Sequence, residues 1–284
     1  MGLFDAFRYD GKRVLVVGGA TGMGAAAAEL VLDAGAEVVV MDFAPVTLEG
    51  VTALNVNLSE EASIDAAVDA CGGPIDVVFS CAGVADGTPN IEKINFLGHR
   101  HLIERALDAG MLNRGGSICF ISSAAGLGWE AQLDQYLELF ATPDMATGAS
   151  WMADHNKADY FHSKQAVCAW VASQAYRFLT HGIRINAICP GPTDTPLARA
   201  NEETWLGMGT DFRDELGVDA SSPLDQAYPL VYLGSDAARA VAGVTLVSDV
   251  GYFASGMTGS YPSAILMAQL LHGRAAAGVE IPEM

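Results

Sequence analysis

Short apolar segments alternate with longer segments of helical periodicity along most of the chain. Six segments are mainly apolar without alternating polar positions, which indicates strands that are buried on both faces. They span residues 13–19, 37–42, 75–83, 116–126, 183–191 and 243–249. The segments between them carry apolar residues at helical spacing, at 20–35, 59–72, 90–110, 157–182 and 225–236.

Strands that alternate with helices predict right-handed crossover connections and therefore a parallel sheet. We expect an α/β fold with a doubly wound parallel sheet, and we expect ligands at the carboxyl ends of its strands. The length of 284 residues and the apolar fraction of 51% fit one globular domain that spans residues 1–284.

The charge of the chain limits its partners, because 34 acidic and 15 basic residues give a formal net charge of -19. Such a chain repels phosphate backbones and anionic lipid surfaces, so we expect neither nucleic acid nor a membrane as a partner.

The five cysteines form no CxxC pair, which favours reduced thiols in the cytosol. Neither a signal pattern nor an apolar stretch of roughly 18 residues occurs, so we expect a cytoplasmic protein. His99 and His101 would face different sides of a helix, so we predict no metal site.

A glycine-rich turn follows the first predicted strand, with Gly18, Gly22 and Gly24 in the sequence VVGGATGMGAA. Glycines at this place permit a tight turn and a close approach of the backbone to a pyrophosphate at the helix N-terminus, although a plain tight turn would use them as well. The second strand ends in Asp42, where an acid can accept hydrogen bonds from an adenosine ribose. The combination predicts a dinucleotide site.

The sequence YFHSK at 160–164 places Tyr160 and Lys164 one helical turn apart. Both side chains can therefore point into one space, where the ammonium would favour the phenolate and lower the pKa of the tyrosine. The alternative is a solvated helix face on which the pair has no role.

Taken in order, these motifs resemble the classical short-chain dehydrogenase/reductase family over nearly the whole chain. They are GGATGMG (18–24), SCAG (80–83), INFLG (94–98), ISSAAG (121–126), YFHSK and PGPTDT (190–195). The chain departs from the family pattern at Val17, where a threonine is usual, at Asn57, where an aspartate is usual, and in VSDVGYF (247–253), which lacks the usual Asp-Gly-Gly.

The resemblance implies a Rossmann fold, a nicotinamide dinucleotide as cofactor and a role for each site residue. Tyr160 would be the general acid/base, Lys164 would hold the nicotinamide ribose, Ser123 would position the substrate oxygen and Asn95 would support a proton relay through water. The implied cofactor contacts are Gly18, Thr21, Gly22, Met23, Gly24, Asp42, Asn57, Leu58, Ala82, Gly83, Tyr160, Lys164, Pro190, Gly191, Thr193 and Thr195.

We expect NAD(H) as the cofactor, because Asp42 would repel a 2′-phosphate. Neither Thr21 in the loop nor Phe43 after the acid supplies the cation that NADP would need.

Three segments differ in length or chemistry from the common family pattern. The long separation of Ser123 from Tyr160 implies a helical insertion at about 127–157, with Leu133, Tyr136, Leu137 and Phe140 on one apolar stripe. The insertion, together with IRINAICPGPTDTPL, also resembles the bacterial 3α-hydroxysteroid dehydrogenase/carbonyl reductase group and coniferyl-alcohol dehydrogenases.

The other two segments lie nearer the C-terminus. A lid is expected at about 194–226, with an ordinary solvated loop as the alternative. It carries Leu197, Trp205, Leu206, Met208 and Phe212. A tail at about 252–284 is expected to pack or to form an interface rather than to touch substrate.

The sequence thus predicts an NAD(H)-dependent oxidoreductase that interconverts a secondary alcohol and a ketone. Acidic residues in the lid disfavour anionic substrates, so we expect a neutral hydrophobic compound such as a steroid or another alicyclic or aromatic alcohol. A catalytically silent dinucleotide sensor is the alternative function. The resemblance also implies a homo-oligomer, as a dimer or a tetramer.

Overall fold

Seven strands form one parallel sheet. They are β1 (Arg13–Val17), β2 (Glu37–Asp42), β3 (Thr52–Asn55), β4 (Ile75–Ser80), β5 (Leu112–Ile121), β6 (Arg184–Pro190) and β7 (Thr245–Ser248). The computed structural model describes residues 2–272. The strands lie in the order β3-β2-β1-β4-β5-β6-β7, and each neighbouring pair is parallel. The predicted doubly wound parallel sheet is therefore confirmed, and six of its strands lie where the apolar segments predict them.

The sequence analysis missed β3, which lies at one edge of the sheet. Three of its four residues are exposed, because a strand at the edge next to β2 has little of the core to cover. A strand without buried positions leaves no apolar run in the sequence.

Helices cover both faces of the sheet. Within the described residues they are α1 (Gly22–Asp33), α2 (Glu61–Cys71), α3 (Gly98–Asp108), α4 (Leu133–Phe140), α5 (Met145–Asp154), α6 (Tyr160–Thr180), α7 (Pro196–Arg199), α8 (Glu202–Trp205), α9 (Thr210–Leu216), α10 (Pro223–Gly234), α11 (Tyr252–Thr258) and α12 (Ile265–His272). None of those found in residues 2–272 is long and apolar enough to cross a bilayer.

The core is divided by the sheet into two layers. Alternate residues of β1 point to opposite sides, so that Leu15 joins the layer formed with α2, α3 and α6. Val16 joins the layer formed with α1 and α10. Because each central strand has core on both faces, its residues are apolar almost throughout, as the sequence pattern requires.

The predicted insertion is helical and consists of a 3₁₀ turn followed by α4 and α5. The expected apolar stripe is rotated, however. Leu137 is 45% exposed, whereas Leu139, which the prediction left out, is fully buried together with Tyr136. The physical reason is that α4 packs on one side against α6 and is held at its C-terminal end by Arg100, so the buried face centres on 136, 139 and 140.

The lid and the tail are also largely helical. The lid consists of α7, α8 and α9, and it ends before the predicted boundary because Ser222 and Asp225 form a capping box that begins α10 at Pro223. The tail continues as α11 and α12. Residues 273–284, the last part of the predicted tail, lie outside the described residues.

Candidate active site

Two adjoining cavities lie at the carboxyl edge of the sheet. The first has a volume of 420 Å³ and is lined by the glycine turn, the end of β2 and the loop after β4. The second has a volume of 250 Å³ and is lined by the ends of β5 and β6, the start of α6, the lid and α12. Both are lined by Met23, Cys81, Gly83, Thr195 and Leu197, so they form one continuous groove. Every residue predicted to contact the cofactor lines one or both of them.

The glycine turn allows the backbone to pass where side chains would not fit. Gly18 has a φ of +86°, and a Cβ there would lie 2.3 Å from the amide nitrogen of Ala82. A Cβ on Gly24 would lie 2.0 Å from the carbonyl oxygen of Gly18. The turn leads directly into α1, whose N-cap residue Thr21 makes no side-chain capping bond, so the first N–H groups of the helix remain available to an anion.

Asp42 is fixed at the end of β2. One carboxylate oxygen accepts a hydrogen bond from the N–H of Ala20 at 2.9 Å, and the other accepts one from the N–H of Ala44 at 2.9 Å. The acid is thereby bound to the glycine turn and lines the first cavity beside Phe43, which is 73% exposed. The turn, the open helix N-terminus and this acid fit the pyrophosphate and the ribose of a dinucleotide.

Asn57, at the far end of the first cavity, uses its side chain within its own turn. The amide oxygen accepts hydrogen bonds from the N–H and the hydroxyl of Ser59, and the amide nitrogen donates to Glu60. Because these bonds occupy the amide, a cofactor contact by the Asn57 side chain stays a prediction. Leu58 is buried beside it.

Ser123, Tyr160 and Lys164 converge on the second cavity. Lys164 Nζ donates to the carbonyl oxygen of Ile121 at 3.0 Å and lies 5.6 Å from the centroid of the Tyr160 ring. Both Ser122 and Ser123 line the cavity, but the Ser122 hydroxyl donates to the carbonyl oxygen of Lys164 at 2.8 Å, whereas the Ser123 side chain is hydrogen-bonded with Tyr160.

Asn95 lies behind the cavity wall rather than on it. It belongs to a π-helical turn at Lys93–Leu97 and is 1% exposed. Its amide oxygen accepts from the N–H of Val84 at 2.8 Å, and its amide nitrogen donates to the Val84 carbonyl and to Ser163 Oγ, each at 3.1 Å. Asn95 therefore joins the loop after β4 to α6, and its part in a proton relay stays a prediction.

The expected lowering of the tyrosine pKa is wrong for this structure. Burial raises the pKa of Tyr160 to about 12, a hydrogen bond with Ser123 lowers it, and the Asp86 carboxylate raises it. Burial also lowers the pKa of Lys164 to about 8. Desolvation is the largest cause of both shifts, so the phenol carries its proton at neutral pH.

The structure adds Asp86, Met267 and Leu271 to the site, which the sequence analysis did not identify, and it places Trp205 of the predicted lid against Tyr160. Asp86 accepts a hydrogen bond from the N–H of Tyr160 at 2.7 Å, although it lies 74 positions earlier in the chain. The ring of Trp205 in the lid lies 4.7 Å from the ring of Tyr160, measured between centroids. Met267 and Leu271 of α12 line the second cavity, so the tail contributes to the site instead of only packing. Met267 and Leu271 are four positions apart, a spacing from which the sequence could have predicted that they share one face of a helix. Nothing in the sequence around Asp86 distinguishes it from the other acidic residues.

His99 is buried behind the same loop. Its Nε2 lies 3.1 Å from the Ala82 carbonyl oxygen, and burial lowers its pKa to about 4. The histidine is therefore neutral and packs against Phe120, as the sequence analysis expects for a packing residue. No group of metal-binding side chains occurs between residues 2 and 272.

Comparison with known proteins relates this site to a family. A sequence model described as short chain dehydrogenase matches residues 12–136, and one described as enoyl-(acyl carrier protein) reductase matches residues 145–253. Coniferyl-alcohol dehydrogenase from Pseudomonas sp. (strain HR199 / DSM 7063) is 29% identical over 249 residues, which cover 84% of this chain and 96% of that protein. Cis-4-hydroxycyclohexanecarboxylate dehydrogenase from Sinomonas cyclohexanicum is 30% identical over 262 residues, which cover 86% and 97% respectively.

A solved structure extends the likeness to the fold. The 3-alpha-hydroxysteroid dehydrogenase from Pseudomonas sp. B-0831, solved with NADH, superimposes with a TM-score of 0.70 at 25% identity. The match covers 88% of this chain and 99% of that one. The motifs, the sheet order and these relatives agree, and the chain belongs to the short-chain dehydrogenase family of nicotinamide dinucleotide-dependent enzymes.

Proposed function

We propose that this enzyme interconverts a secondary alcohol and its ketone with NAD(H) as the cofactor. The observation that carries the proposal is the grouping of Ser123, Tyr160 and Lys164 on a cavity that adjoins the cavity of the glycine turn. The nicotinamide dinucleotide supplies hydride acceptance or donation when it is bound. The chain then needs only to move one proton and to hold the substrate oxygen, which these three side chains can do.

In the proposed reaction Tyr160 exchanges a proton with the substrate oxygen. During reduction the phenol donates its proton to the oxygen of the ketone, and during oxidation the phenolate accepts the proton of the alcohol. Ser123 donates a hydrogen bond to the same oxygen, and the Lys164 ammonium stabilises the phenolate. Because the pKa of Tyr160 is raised to about 12 and that of Lys164 is lowered to about 8, we expect oxidation to accelerate as the pH rises to about 8, above which the lysine loses the charge that stabilises the phenolate.

The preference for NAD(H) over NADP(H) is supported by the lining of the first cavity. Asp42 is held there by two backbone N–H groups, and no lysine or arginine is among the described residues that line this cavity. A 2′-phosphate would meet a carboxylate and find no cation. Titration of the protein with NADH and with NADPH, followed by nicotinamide fluorescence, tests the preference. Tighter binding of NADPH would contradict it.

A neutral, hydrophobic ring compound is the substrate class that the second cavity supports. Lys164 is the only charged side chain among the described residues that line it, and Leu197, Trp205 and Met208 make much of its wall apolar. A carboxylate or phosphate on the substrate would find no second cation there. The names of the two relatives contain ring compounds with a hydroxyl group, which supports the alicyclic or aromatic class; the carboxylate in the second name does not support the preference for a neutral compound, which rests on the cavity lining alone.

The substitution Tyr160→Phe tests the proposed chemistry. We expect NADH binding to persist, because the backbone of α6 is unchanged, and turnover on a good alcohol substrate to fall by about 100-fold or more. Tyr176→Phe is the matched control, since Tyr176 lies on the same helix and is 81% exposed. Near wild-type turnover by the Tyr160 variant would disprove the mechanism. A silent dinucleotide sensor, the alternative function, predicts no alcohol-dependent change in NADH with either protein.

We also propose that the protein works in the cytoplasm. All five cysteines are free, and Cys71, Cys119, Cys168 and Cys189 are buried, as reduced thiols of an intracellular protein would be. Cell fractionation tests this location.

A further inference from the structure

Helix α12 contributes one of its faces to the second cavity. Ala264, just before the helix, and Ala268 and Leu271 are buried, and Met267 is half-buried. These positions are spaced as one helical stripe. Met267 and Leu271, four residues apart, line the same 250 Å³ cavity as Ser123 and Tyr160.

The helix is held in place by specific packing. A Cβ on Gly256 of α11 would lie 2.5 Å from the carbonyl oxygen of Ala264, so the two helices approach as closely as a glycine permits. Leu271 shares a buried cluster with Phe212 of the lid and with Ala124 beside the catalytic serine. The hydroxyl of Tyr261, in the turn before α12, donates to Asp211 of the lid at 2.8 Å. Helix α12 and the lid therefore form one wall.

The α12 part of this wall lies outside the part of the chain that the family's sequence models match, because the second match ends at residue 253, whereas the lid lies within that match. The matched part carries Ser123, Tyr160, Lys164 and the glycine turn, which supply the chemistry. The residues after 253 carry none of these groups, so their side chains can vary in size without changing the proposed chemistry. They are therefore suited to selecting the substrate.

We propose that α12 sets the upper size limit of the substrate, with Met267 and Leu271 as the residues that decide it. The proposal rests on the proposed function of the second cavity. A volume of 250 Å³ lies below the range of about 300–1,000 Å³ that is usual for sites of drug-sized ligands. The enzyme accepts alcohols of one or two rings, and the side chains of α12 exclude a four-ring steroid.

Two substitutions at Met267 test the proposal in opposite directions. Met267→Ala enlarges the cavity and Met267→Phe fills it, and the position is only half-buried, so neither change removes a core residue. Initial rates of NAD⁺ reduction are measured with cyclohexanol, borneol and a 3α-hydroxysteroid as alcohols of one, two and four rings. Leu266→Ala is the control, because Leu266 is on the same helix and is 64% exposed.

We expect wild-type kcat/KM to be highest for the one- and two-ring alcohols. Met267→Ala, alone or combined with Leu271→Ala, should raise the ratio of steroid to cyclohexanol kcat/KM by about tenfold or more, and Met267→Phe should lower the ratio of borneol to cyclohexanol by a similar factor. Leu266→Ala should leave both ratios unchanged.

The possible failures are distinguishable. Wild-type oxidation of the steroid as fast as of cyclohexanol, or ratios that do not respond to either Met267 change, would overturn the role of α12 and leave the proposed function standing. If wild-type protein binds NADH and oxidises none of the three alcohols, the proposed function fails and the role of α12 fails with it. NADH binding and thermal unfolding of each variant show that it is folded.

Discussion

At the scale of single residues, Asp86 shows how Tyr160, the proposed acid/base, is positioned from outside its own helix. Tyr160 is the first residue of α6, and the N-cap Asp159 accepts from the N–H of His162 instead. The N–H of Tyr160 donates to Asp86, in the loop that also carries Gly83 and Val84 of the cavity wall. Asp86 therefore fixes the tyrosine backbone and places a negative charge near its phenol.

Two substitutions separate these effects of Asp86. Asp86→Asn retains an acceptor for the Tyr160 N–H and removes the charge, whereas Asp86→Ala removes both. Because the Asp86 carboxylate raises the pKa of Tyr160, both variants should move the pH profile of alcohol oxidation to lower pH. Lys164, Cys189 and Ser123 also face the phenol and are unchanged in both. Only Asp86→Ala should lower the free energy of unfolding, by about 1 kcal/mol, because it loses a helix-capping acceptor. Unchanged pH profiles would contradict the electrostatic part of this account.

At the scale of elements, the sequence predicted the strands and helices whose own pattern of apolar residues indicates which positions are buried. The central strands β1, β4 and β6 are buried on both faces, and each is a continuous apolar run. The edge strand β3 and the short lid helices α7 and α8 have no such pattern, because tertiary contacts rather than local periodicity define them. The rotation of α4 has the same origin, since its buried face depends on α6 and Arg100.

Arg100 is expected to hold the insertion on the sheet. Its guanidinium donates to the carbonyl oxygens of Leu139 at 3.3 Å, Phe140 at 3.0 Å and Thr142 at 2.8 Å, at the C-terminal end of α4. Arg100→Met would remove the donor to the carbonyl oxygens of Phe140 and Thr142, whereas that of Leu139 still accepts from Thr142, so we expect unfolding in urea to show a loss of about 2 kcal/mol or more.

Arg105→Met is the control for that measurement. Arg105 lies on the same helix, and its ion pair with Asp69 at 2.7 Å is partly exposed, so its loss should change stability by less than about 1 kcal/mol. Equal effects of the two substitutions would show that the bonds from Arg100 contribute no more than a surface ion pair.

At the scale of the whole molecule, the topology brings together site residues that are far apart in the sequence. The motifs GGATGMG, SCAG, ISSAAG and PGPTDT lie at the ends of strands, and all the strands of a parallel sheet end at one edge, so their order predicted the groove. Asp86 and the contribution of α12 to the site escaped prediction, since their positions depend on how a loop and a terminal helix fold back over that edge. The choice of Ser123 over Ser122 was predictable only from the family likeness.

A homo-oligomer remains our prediction for the assembly, with a dimer preferred over a tetramer. Tyr176 and Leu179 expose apolar surface three positions apart on α6, at 81% and 46%, and a partner subunit could cover them. Light scattering at micromolar concentration should give twice the chain mass of 29.7 kDa. A monomer would exclude both forms, and a dimer that persists in Tyr176→Glu would locate the contact elsewhere.

The two hydrogen bonds that Asp42 accepts have a consequence for any redesign of the proposed preference for NAD(H). A change to NADP(H) would require loss of the negative charge and a cation nearby, and the exposed Phe43 offers a position for an arginine. The same carboxylate, however, joins β2 to the glycine turn through Ala20 and holds the chain reversal at Ala44. A substitution that removes both acceptor oxygens would loosen the turn on which either dinucleotide depends. A successful exchange therefore needs a neutral side chain that still accepts hydrogen bonds, so selectivity and affinity at this position cannot be altered independently.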